Sequence, residues 1–410
     1  MHDADTHIHA PQFPNAGIFG KKTLLDWLKT YTYPMEASLG DVQKAKRVYE
    51  ACVSTTLAHG TTTATYYATI HVESTKLLAD VALNKGERAL VGRVCMDHPS
   101  TVLDYYRDED VETSKKNNRA VMHHIRSLDR TGSRVVPVIT PRSAVSCTSE
   151  HLLMLRDMAN DPAYPLRIQS HIAENVSEMD LVRLLWPTYE SYTAVYDEHG
   201  LLTSRTILAH GIYLSEAEKR RIAAQDAKVS HCPVSNAALG SGMCRVRELL
   251  DSGITVGLGS DVSGGYSPSI LEAARQACLV SRLVAAGIEN DRKTGESSTP
   301  RQADMAAQVP EWDRVKLTVE ESLWMATRGG AEVVGWEQTL GSFEVGMAFD
   351  VQLIAFDQLD ADGWSDTNIG NVKAFGWESW EDVVAKWVYC GDDRNTIKVW
   401  VDGDLVHARS

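Results

Sequence analysis

The sequence predicts an α/β fold, a (β/α)8 TIM-type barrel followed by a small β-sandwich appendage. Two observations predict the barrel: short apolar runs alternate with longer amphipathic segments, and there are eight such units. Most of the runs are apolar along nearly their whole length, as strands covered on both faces must be. We expect the barrel over residues 1–335 and the appendage over residues 336–410.

The expected strands and helices follow in chain order. Strands are predicted at 4–9, 61–67, 89–96, 134–140, 166–171, 205–211, 227–233 and 254–261. Amphipathic helices between them include 150–160, 177–185, 215–225 and 269–286. Ser215 followed by Glu218 is the capping-box signature of a helix start.

The last third of the chain has a different pattern. The segment from Gly287 to Trp312 is polar and contains two prolines, so we expect a surface loop. The runs 341–354 and 396–406 resemble short strands separated by glycine and aspartate turns, which predicts the appendage. The run G-D-D-R-N at 391–395 is expected to form a turn.

Composition argues against several classes of partner. The 410-residue chain has 41 basic and 55 acidic residues and a net charge of −14, which disfavours nucleic acid or an anionic membrane as partner. Neither a membrane-spanning helix nor a signal peptide is expected. The seven cysteines form no C-x-x-C motif and are interpreted as free thiols, which predicts a cytoplasmic location.

Histidine, acidic residues and one arginine occur at or just after the ends of the predicted strands. These positions are His7, His9, Arg142, His171, Glu174, His210, His231 and Asp261. The carboxyl ends of the strands form the active-site face of such a barrel, so we expect these side chains to converge. Three neutral imidazoles and a carboxylate suit Zn²⁺ with a position left for water, and Glu174 and Asp261 are the candidates for moving protons.

Several of these residues, and also Gln12, have a purely structural interpretation. His171 or His210 could be a core histidine bonded to a backbone carbonyl, and Asp261 could cap a following helix. Arg142 could belong to a surface ion pair, and Gln12 could be an exposed loop amide.

Four residues are not assigned to the predicted metal site. His231 is left outside the predicted metal shell, and His71 could either line a pocket or fill the core. Trp27 and Tyr31 are spaced for one helix face and are expected in the core.

Several motifs together resemble the metal-binding framework of the amidohydrolase superfamily. They are D-T-H-I-H-A, S-H-I-A-E-N, L-A-H-G, H-C-P-V-S-N and G-L-G-S-D-V. The wording H-I-H-A-P-Q, V-I-T-P-R and D-V-S-G-G-Y-S is similar to the guanine-deaminating branch of its aminohydrolases. The similarity extends over nearly the whole chain and is interrupted near 287–312.

The resemblance implies a metal site and a hydrolytic reaction. The implied ligands of one Zn²⁺ per chain are His7, His9, His171 and Asp261. Glu174 would pass a proton to a ring nitrogen, Asp261 would also accept the proton of the attacking water, and His210 would hydrogen-bond the hydroxide or the tetrahedral intermediate. The implied reaction converts guanine to xanthine and ammonia.

The resemblance also implies how a purine base is held. Arg142 would hydrogen-bond the ring carbonyl, Gln12 would bind another purine edge, and His210 would contact the reacting part of the base. Ser143 stands where relatives commonly have an aromatic residue, and losing that stacking contact would cost about 1–3 kcal/mol of base affinity. A cytoplasmic homodimer is the implied assembly.

Relatives usually have several tens of residues before the first histidine motif, whereas only six precede His7 here. This difference predicts a short first strand that pairs poorly, two loosely held ligands and a partly truncated appendage. Two other functions stay open: an aminohydrolase or chlorohydrolase acting on adenosine-like, pterin or triazine rings, and a non-catalytic scaffold or subunit partner.

Overall fold

A ring of parallel strands forms the centre of the molecule, in a computed structural model that describes residues 3–21, 23–294, 311–359 and 369–409. The strands are β1 (Asp3–His9), β2 (Thr61–Tyr67), β3 (Arg88–Gly92), β4 (Val94–Cys95), β5 (Val135–Pro141), β6 (Arg167–Ile172), β7 (Thr206–His210), β8 (Lys228–His231) and β9 (Val256–Leu258). The two-residue β4 continues the line of β3 and pairs with β5. The eight predicted strands are therefore confirmed, with ends shifted by up to three residues.

Backbone hydrogen bonds connect the first strand to the segment after the last. The N–H of Asp261 donates to the carbonyl of His7 at 2.9 Å, and the N–H of His9 donates to the carbonyl of Val262 at 3.1 Å. On its other side β1 pairs in parallel with β2. The expectation of a short and poorly paired first strand is wrong, because all seven residues of β1 are buried and the strand has hydrogen-bonded neighbours on both sides.

Helices follow the strands and cover the outside of the ring. They are α1 (Leu24–Trp27), α2 (Tyr33–Ser38), α3 (Val42–Ala58), α4 (Val72–Lys85), α5 (Val111–Leu128), α6 (Ser149–Ala159), α7 (Val176–Leu185), α8 (Tyr192–Glu198), α9 (Glu216–Ala224), α10 (Pro233–Ala238), α11 (Val246–Asp251), α12 (Ile270–Thr294), α13 (Glu311–Arg314), α14 (Val319–Ala326), α15 (Arg328–Val333) and α16 (Trp380–Cys390). A π-helical turn (Leu28–Thr32) joins α1 to α2.

Helix ends agree with the sequence signals in most places. The predicted capping box starts α9: the N–H of Glu218 donates to the Ser215 hydroxyl, and the Glu218 carboxylate accepts from the N–H of Ser215. The expected loop from Gly287 is wrong at its start, because α12 continues to Thr294. Residues 295–310 of that expected loop lie outside the described residues.

A smaller antiparallel sheet accompanies the barrel. Its strands are β10 (Val351–Ile354), β13 (Thr396–Val401) and β14 (Asp404–Ala408), and a separate pair is formed by β11 (Asp357–Gln358) and β12 (Lys373–Ala374). The predicted run 341–354 is a strand only at its end, and α16 was not predicted. The boundary between residues 335 and 336 stays a prediction.

Apolar side chains fill the space between the strands and the helices. One cluster, around Ile168 and Leu208, packs α6 to α9 on β5 to β9, and another, around Val53 and Val91, packs α3 and α4 on β1 to β3. Burying each such side chain contributes about 1.5–3 kcal/mol. In the part of the chain that the structure describes, no helix is both long and apolar enough to cross a bilayer.

Candidate active site

Four polar side chains converge at the carboxyl ends of the strands. His7 and His9 come from β1, His171 from β6, and Asp261 from the segment after β9. The Nε2 atoms of His9 and His171 lie 3.1 Å apart. Oδ1 of Asp261 lies 3.2 Å from Nε2 of His7 and 3.5 Å from Nε2 of His9. Ligands bonded at about 2.1 Å to a tetrahedral ion lie about 3.4 Å apart, so the four side chains match the spacing of one metal site.

The hydrogen bonds and burial of these groups leave ring nitrogens free for a cation. Nδ1 of His171 donates to the carbonyl of Arg142 at 2.6 Å, which leaves Nε2 unprotonated. Nε2 of His7 faces Oδ1 of Asp261 at 3.2 Å and has no other polar partner among the residues described. Burial lowers the pKa of all three histidines, which keeps them neutral. Burial opposes the charge of Asp261, but nearby His7 holds the pKa of that carboxyl below its usual range.

His210 lies beside the four converging side chains. Its Nδ1 donates to Oδ1 of Asn236 at 2.9 Å, and its Nε2 is 3.6 Å from Glu174 and 3.8 Å from Asp261. Burial disfavours an imidazolium here, but Glu174 raises the pKa of His210 above its usual value. When protonated, Nε2 of His210 can donate a hydrogen bond to a group that lies near both carboxylates.

The backbone is strained at two of these residues. His210 has a φ of 76° and Asp261 a φ of 47°, a region that residues with a side chain seldom occupy. Such strain costs about 1–3 kcal/mol at each position and persists only where the surrounding structure imposes it. His210 is the last residue of β7, and Asp261 lies three residues after the end of β9.

Glu174 is the acidic group best suited to carry a proton. It is buried, and burial raises its pKa to about 7. Its carboxylate accepts a hydrogen bond from the Ser241 hydroxyl at 3.3 Å, and its backbone N–H donates to Glu178 at 2.9 Å. A pKa near neutrality lets one carboxyl both accept and donate a proton under ordinary conditions.

A cavity lies over the converging side chains and is lined by both polar and apolar residues. It encloses about 660 Å³ of space, which includes its open mouth. Its polar lining residues are His9, Gln12, Thr101, Arg142, Ser143, Ser146, His171, Glu174, Glu178 and Asp261. Trp27 and Tyr33 contribute aromatic rings, so the cavity has aromatic walls although Ser143 is not aromatic. Trp27 is buried as expected, but it also lines the cavity.

The predicted base-binding residues meet a carboxylate that the sequence did not reveal. Arg142 donates to Glu36 at 2.7 and 3.1 Å, and the Gln12 amide donates to Glu36 at 2.8 Å. Arg142 is 4% exposed and Gln12 is 2% exposed, so the interpretations as a surface ion pair and an exposed amide are wrong. Glu36 lies on the short helix α2, and its neighbours in the sequence carry no signal that distinguishes it from a solvated helix residue.

The other candidates lie away from this cavity. His231 is buried outside the four-residue set, and burial lowers its pKa to about 3, so the ring is neutral. His71 is half-buried, and its Nε2 lies 3.0 Å from the carbonyl of Ala37 on α2. Tyr31 packs beside Trp27 in a small apolar cluster.

A second group of potential metal ligands surrounds His151. It contains Cys95, Asp97, Asp108, Cys147 and His151. Arg93 is ion-paired with Asp108 in this group. Burial opposes protonation of His151, but the hydrogen bond with Asp97 raises its pKa to about 10. Two buried cations already balance the carboxylates, so the group is a network of ion pairs and not a metal site.

The chain is similar to proteins of one family over nearly its whole length. Residues 4–406 match the amidohydrolase family. The "Probable guanine deaminase" of Schizosaccharomyces pombe (strain 972 / ATCC 24843) is 41% identical over 402 residues, which are 98% of this chain and 70% of that protein. The guanine deaminase of Homo sapiens is 40% identical over 402 residues, 98% of this chain and 81% of that protein. The crystal structure of guanine deaminase from C. acetobutylicum with bound guanine has a TM-score of 0.82 and 31% identity, and covers 99% of this chain and 86% of that one.

Proposed function

Because the chain belongs to the amidohydrolase family, we propose that it is a guanine deaminase that hydrolyses guanine to xanthine and ammonia. The observation that carries the proposal is the approach of three imidazoles and one carboxylate at the floor of a cavity that Arg142 and Gln12 line. Relatives of 40% and 41% identity that bear this name support the choice of guanine as substrate.

The proposed metal is one Zn²⁺ per chain, with His7, His9, His171 and Asp261 as its ligands. Neutral imidazoles combined with a carboxylate fit this ion, and the distances of 3.1 to 3.5 Å between their ligand atoms fit its tetrahedral preference. When bound, the ion lowers the pKa of a water molecule and so supplies the nucleophile.

Two carboxylates of the chain would handle the protons of this reaction. Asp261 would accept the proton of the attacking water, and Glu174, with its pKa of about 7, would carry a proton to a ring nitrogen. His210 would donate a hydrogen bond to the tetrahedral intermediate, because its Nε2 lies between the two carboxylates. Addition at the amino-bearing carbon of the base is then followed by loss of ammonia.

Arg142 and Gln12 would recognise the base through hydrogen bonds. Both side chains donate, so they suit the ring carbonyl and an acceptor atom on another purine edge. Ser143 lines the same cavity and would contact the base from the polar side. Trp27 and Tyr33 offer aromatic surfaces where stacking is worth about 1–3 kcal/mol per base.

Ammonia release from guanine, measured with zinc content on the same sample, tests the proposal. We expect xanthine as the product and close to one zinc per chain. Turnover of adenine, a pterin or a triazine in place of guanine would favour another aminohydrolase or chlorohydrolase. Zinc below about 0.2 per chain without turnover would favour the non-catalytic scaffold, because a competent site binds its metal tightly.

The proposed setting is the cytoplasm, and the proposed assembly is a homodimer. The family resemblance supports the dimer, and seven free thiols favour a reducing compartment. Light scattering after gel filtration would measure the mass of the assembly, and a monomer at micromolar concentration would contradict the dimer.

A further inference from the structure

We propose that Glu36 is a positioning residue that neutralises Arg142, so that the cavity selects neutral bases and rejects anionic ones. The proposal deepens the proposed function and rests on it for the identity of the ligand. Glu36 lies behind the cavity wall and acts through Arg142 and Gln12, which line the cavity.

The first observation is a buried bidentate ion pair. Nη1 of Arg142 lies 2.7 Å from Oε2 of Glu36, and Nη2 lies 3.1 Å from Oε1. The side chain of Glu36 is 0% exposed and that of Arg142 is 5% exposed. An unpaired guanidinium at such depth would attract any anion that fits, because low dielectric strengthens its field. Paired with Glu36, it offers hydrogen bonds without a net charge.

The second observation is the orientation of the Gln12 amide. Its Nε2 donates to Oε1 of Glu36 at 2.8 Å, while its Oε1 accepts from the backbone N–H of Ser263 at 3.3 Å. These two bonds assign the amide orientation, since a flipped amide would set its oxygen against the carboxylate. Glu36 therefore fixes both predicted base-binding donors at once.

Other titratable groups near this pair leave its charge balance unchanged. Burial raises the pKa of the nearby phenols and lowers the pKa of the nearby imidazole, so all of them are neutral; they are Tyr33, Tyr49, Tyr106 and His71. The acidic groups Asp261 and Glu174 line the same cavity, but both are engaged with histidines. Among the described residues, Glu36 is the ion-pair partner of Arg142.

Charge selection matters for this reaction because substrate and product differ in acidity. Deamination replaces an amino group by a second carbonyl, so the product loses a ring proton more readily than guanine does. A guanidinium whose charge Glu36 balances binds neutral guanine and disfavours the product anion, which limits product inhibition. Without Glu36, the free guanidinium would instead retain the anion.

Binding of two competitive purines to the zinc-loaded protein tests the proposal by calorimetry. At about pH 8 xanthine is largely a monoanion and hypoxanthine is largely neutral, so the ratio of their dissociation constants reports charge selection. We expect Glu36→Gln to shift this ratio towards xanthine by about tenfold or more, and to increase product inhibition by a similar factor. Glu36→Asp keeps the charge and is expected to keep the wild-type ratio even if both affinities fall.

Glu87→Gln is the matched control, because Glu87 is also fully buried but bonds to Thr56 and Tyr66 and to neither of the base-binding donors. An unchanged ratio in folded Glu36→Gln, or the same shift in Glu87→Gln, would overturn the proposal. If Glu36→Gln does not fold, Glu36→Gln combined with Arg142→Gln removes both charges, and a preference of that protein for xanthine would overturn it equally.

The outcomes separate this proposal from the proposed function. Wild-type protein that deaminates guanine while Glu36→Gln leaves the ratio unchanged would refute the role of Glu36 alone. If the wild-type protein leaves guanine unreacted but Glu36→Gln shows the shifted ratio, the result would refute the deaminase alone. Failure of the wild type to bind either purine would refute both.

Discussion

The Nε2 atoms of His9 and His171 lie 3.1 Å apart, although 162 residues separate them in the chain. Two neutral imidazoles approach so closely only when a proton or a cation lies between their nitrogens. His171 donates its Nδ1 proton to the carbonyl of Arg142, and burial lowers the pKa of both rings, so Nε2 of His171 presents a lone pair towards His9, as a shared metal site requires.

Replacing His171 by alanine is expected to abolish both metal retention and guanine turnover. The change removes one of the four proposed ligands, and three remaining ligands hold the ion too weakly to retain it. Metal analysis after dialysis would measure the effect. His199→Ala is the control, because the ring of His199 bonds to Ser149 and Val195 outside the site. A zinc-replete and fully active His171→Ala protein would refute the ligand assignment.

Glu174→Gln is expected to keep zinc but to lower kcat by about 10²–10⁴-fold, the usual contribution of a positioned acid or base. The amide cannot exchange a proton near neutral pH, whereas the carboxyl has a pKa of about 7. Steady-state kinetics with zinc analysis would check both points. Unchanged kcat would remove Glu174 from the proton path, and lost zinc would give it a structural role.

Arg142→Met is expected to raise KM for guanine by about 10–100-fold while zinc content stays the same. In the proposed function the side chain of Arg142 binds the base, whereas His171 contacts only the backbone carbonyl of Arg142, which every substitution retains. A fall in zinc content would show that the side chain also supports His171. Similar KM values for both proteins would exclude Arg142 from base recognition.

We expect the free energy of unfolding to fall as the pH rises, because of the buried carboxyl of Glu87. It is fully buried, accepts from Thr56 and Tyr66, and has its pKa raised by burial from 4.5 to about 8. Between these values the unfolded chain releases the proton while the folded chain keeps it, so stability falls with rising pH. Glu87→Gln removes this dependence, a difference on the order of 4 kcal/mol across the window. Urea unfolding of both proteins at about pH 5 and pH 8 checks it; parallel pH profiles would contradict the buried protonated carboxyl.

The sequence predicted the barrel and the convergence of strand ends because both follow from local patterns. Apolar runs of strand length repeat eight times, and parallel strands bring their carboxyl ends to one edge. Polar residues such as His171 and Asp261 stand out there because each directly follows an apolar run.

One feature escaped prediction because its physical cause is not local in the chain, and another escaped although its signal is local. Glu36 acquires its role only through Arg142, a contact across 106 residues that no spacing rule encodes. Helix α16 is different, since Ser379 and Asp382 form a capping box that could have been found. The glycine and aspartate turns around it favoured a strand interpretation of the whole segment.

The bonds between β1 and the segment after β9 have a consequence for how the enzyme is made. The proposed ligands His7 and His9 are synthesised well before Asp261, which lies far along the chain. We therefore expect the four proposed ligands to converge only after the ring has closed. A nascent chain that stalls before the eighth strand would expose an unpaired sheet edge.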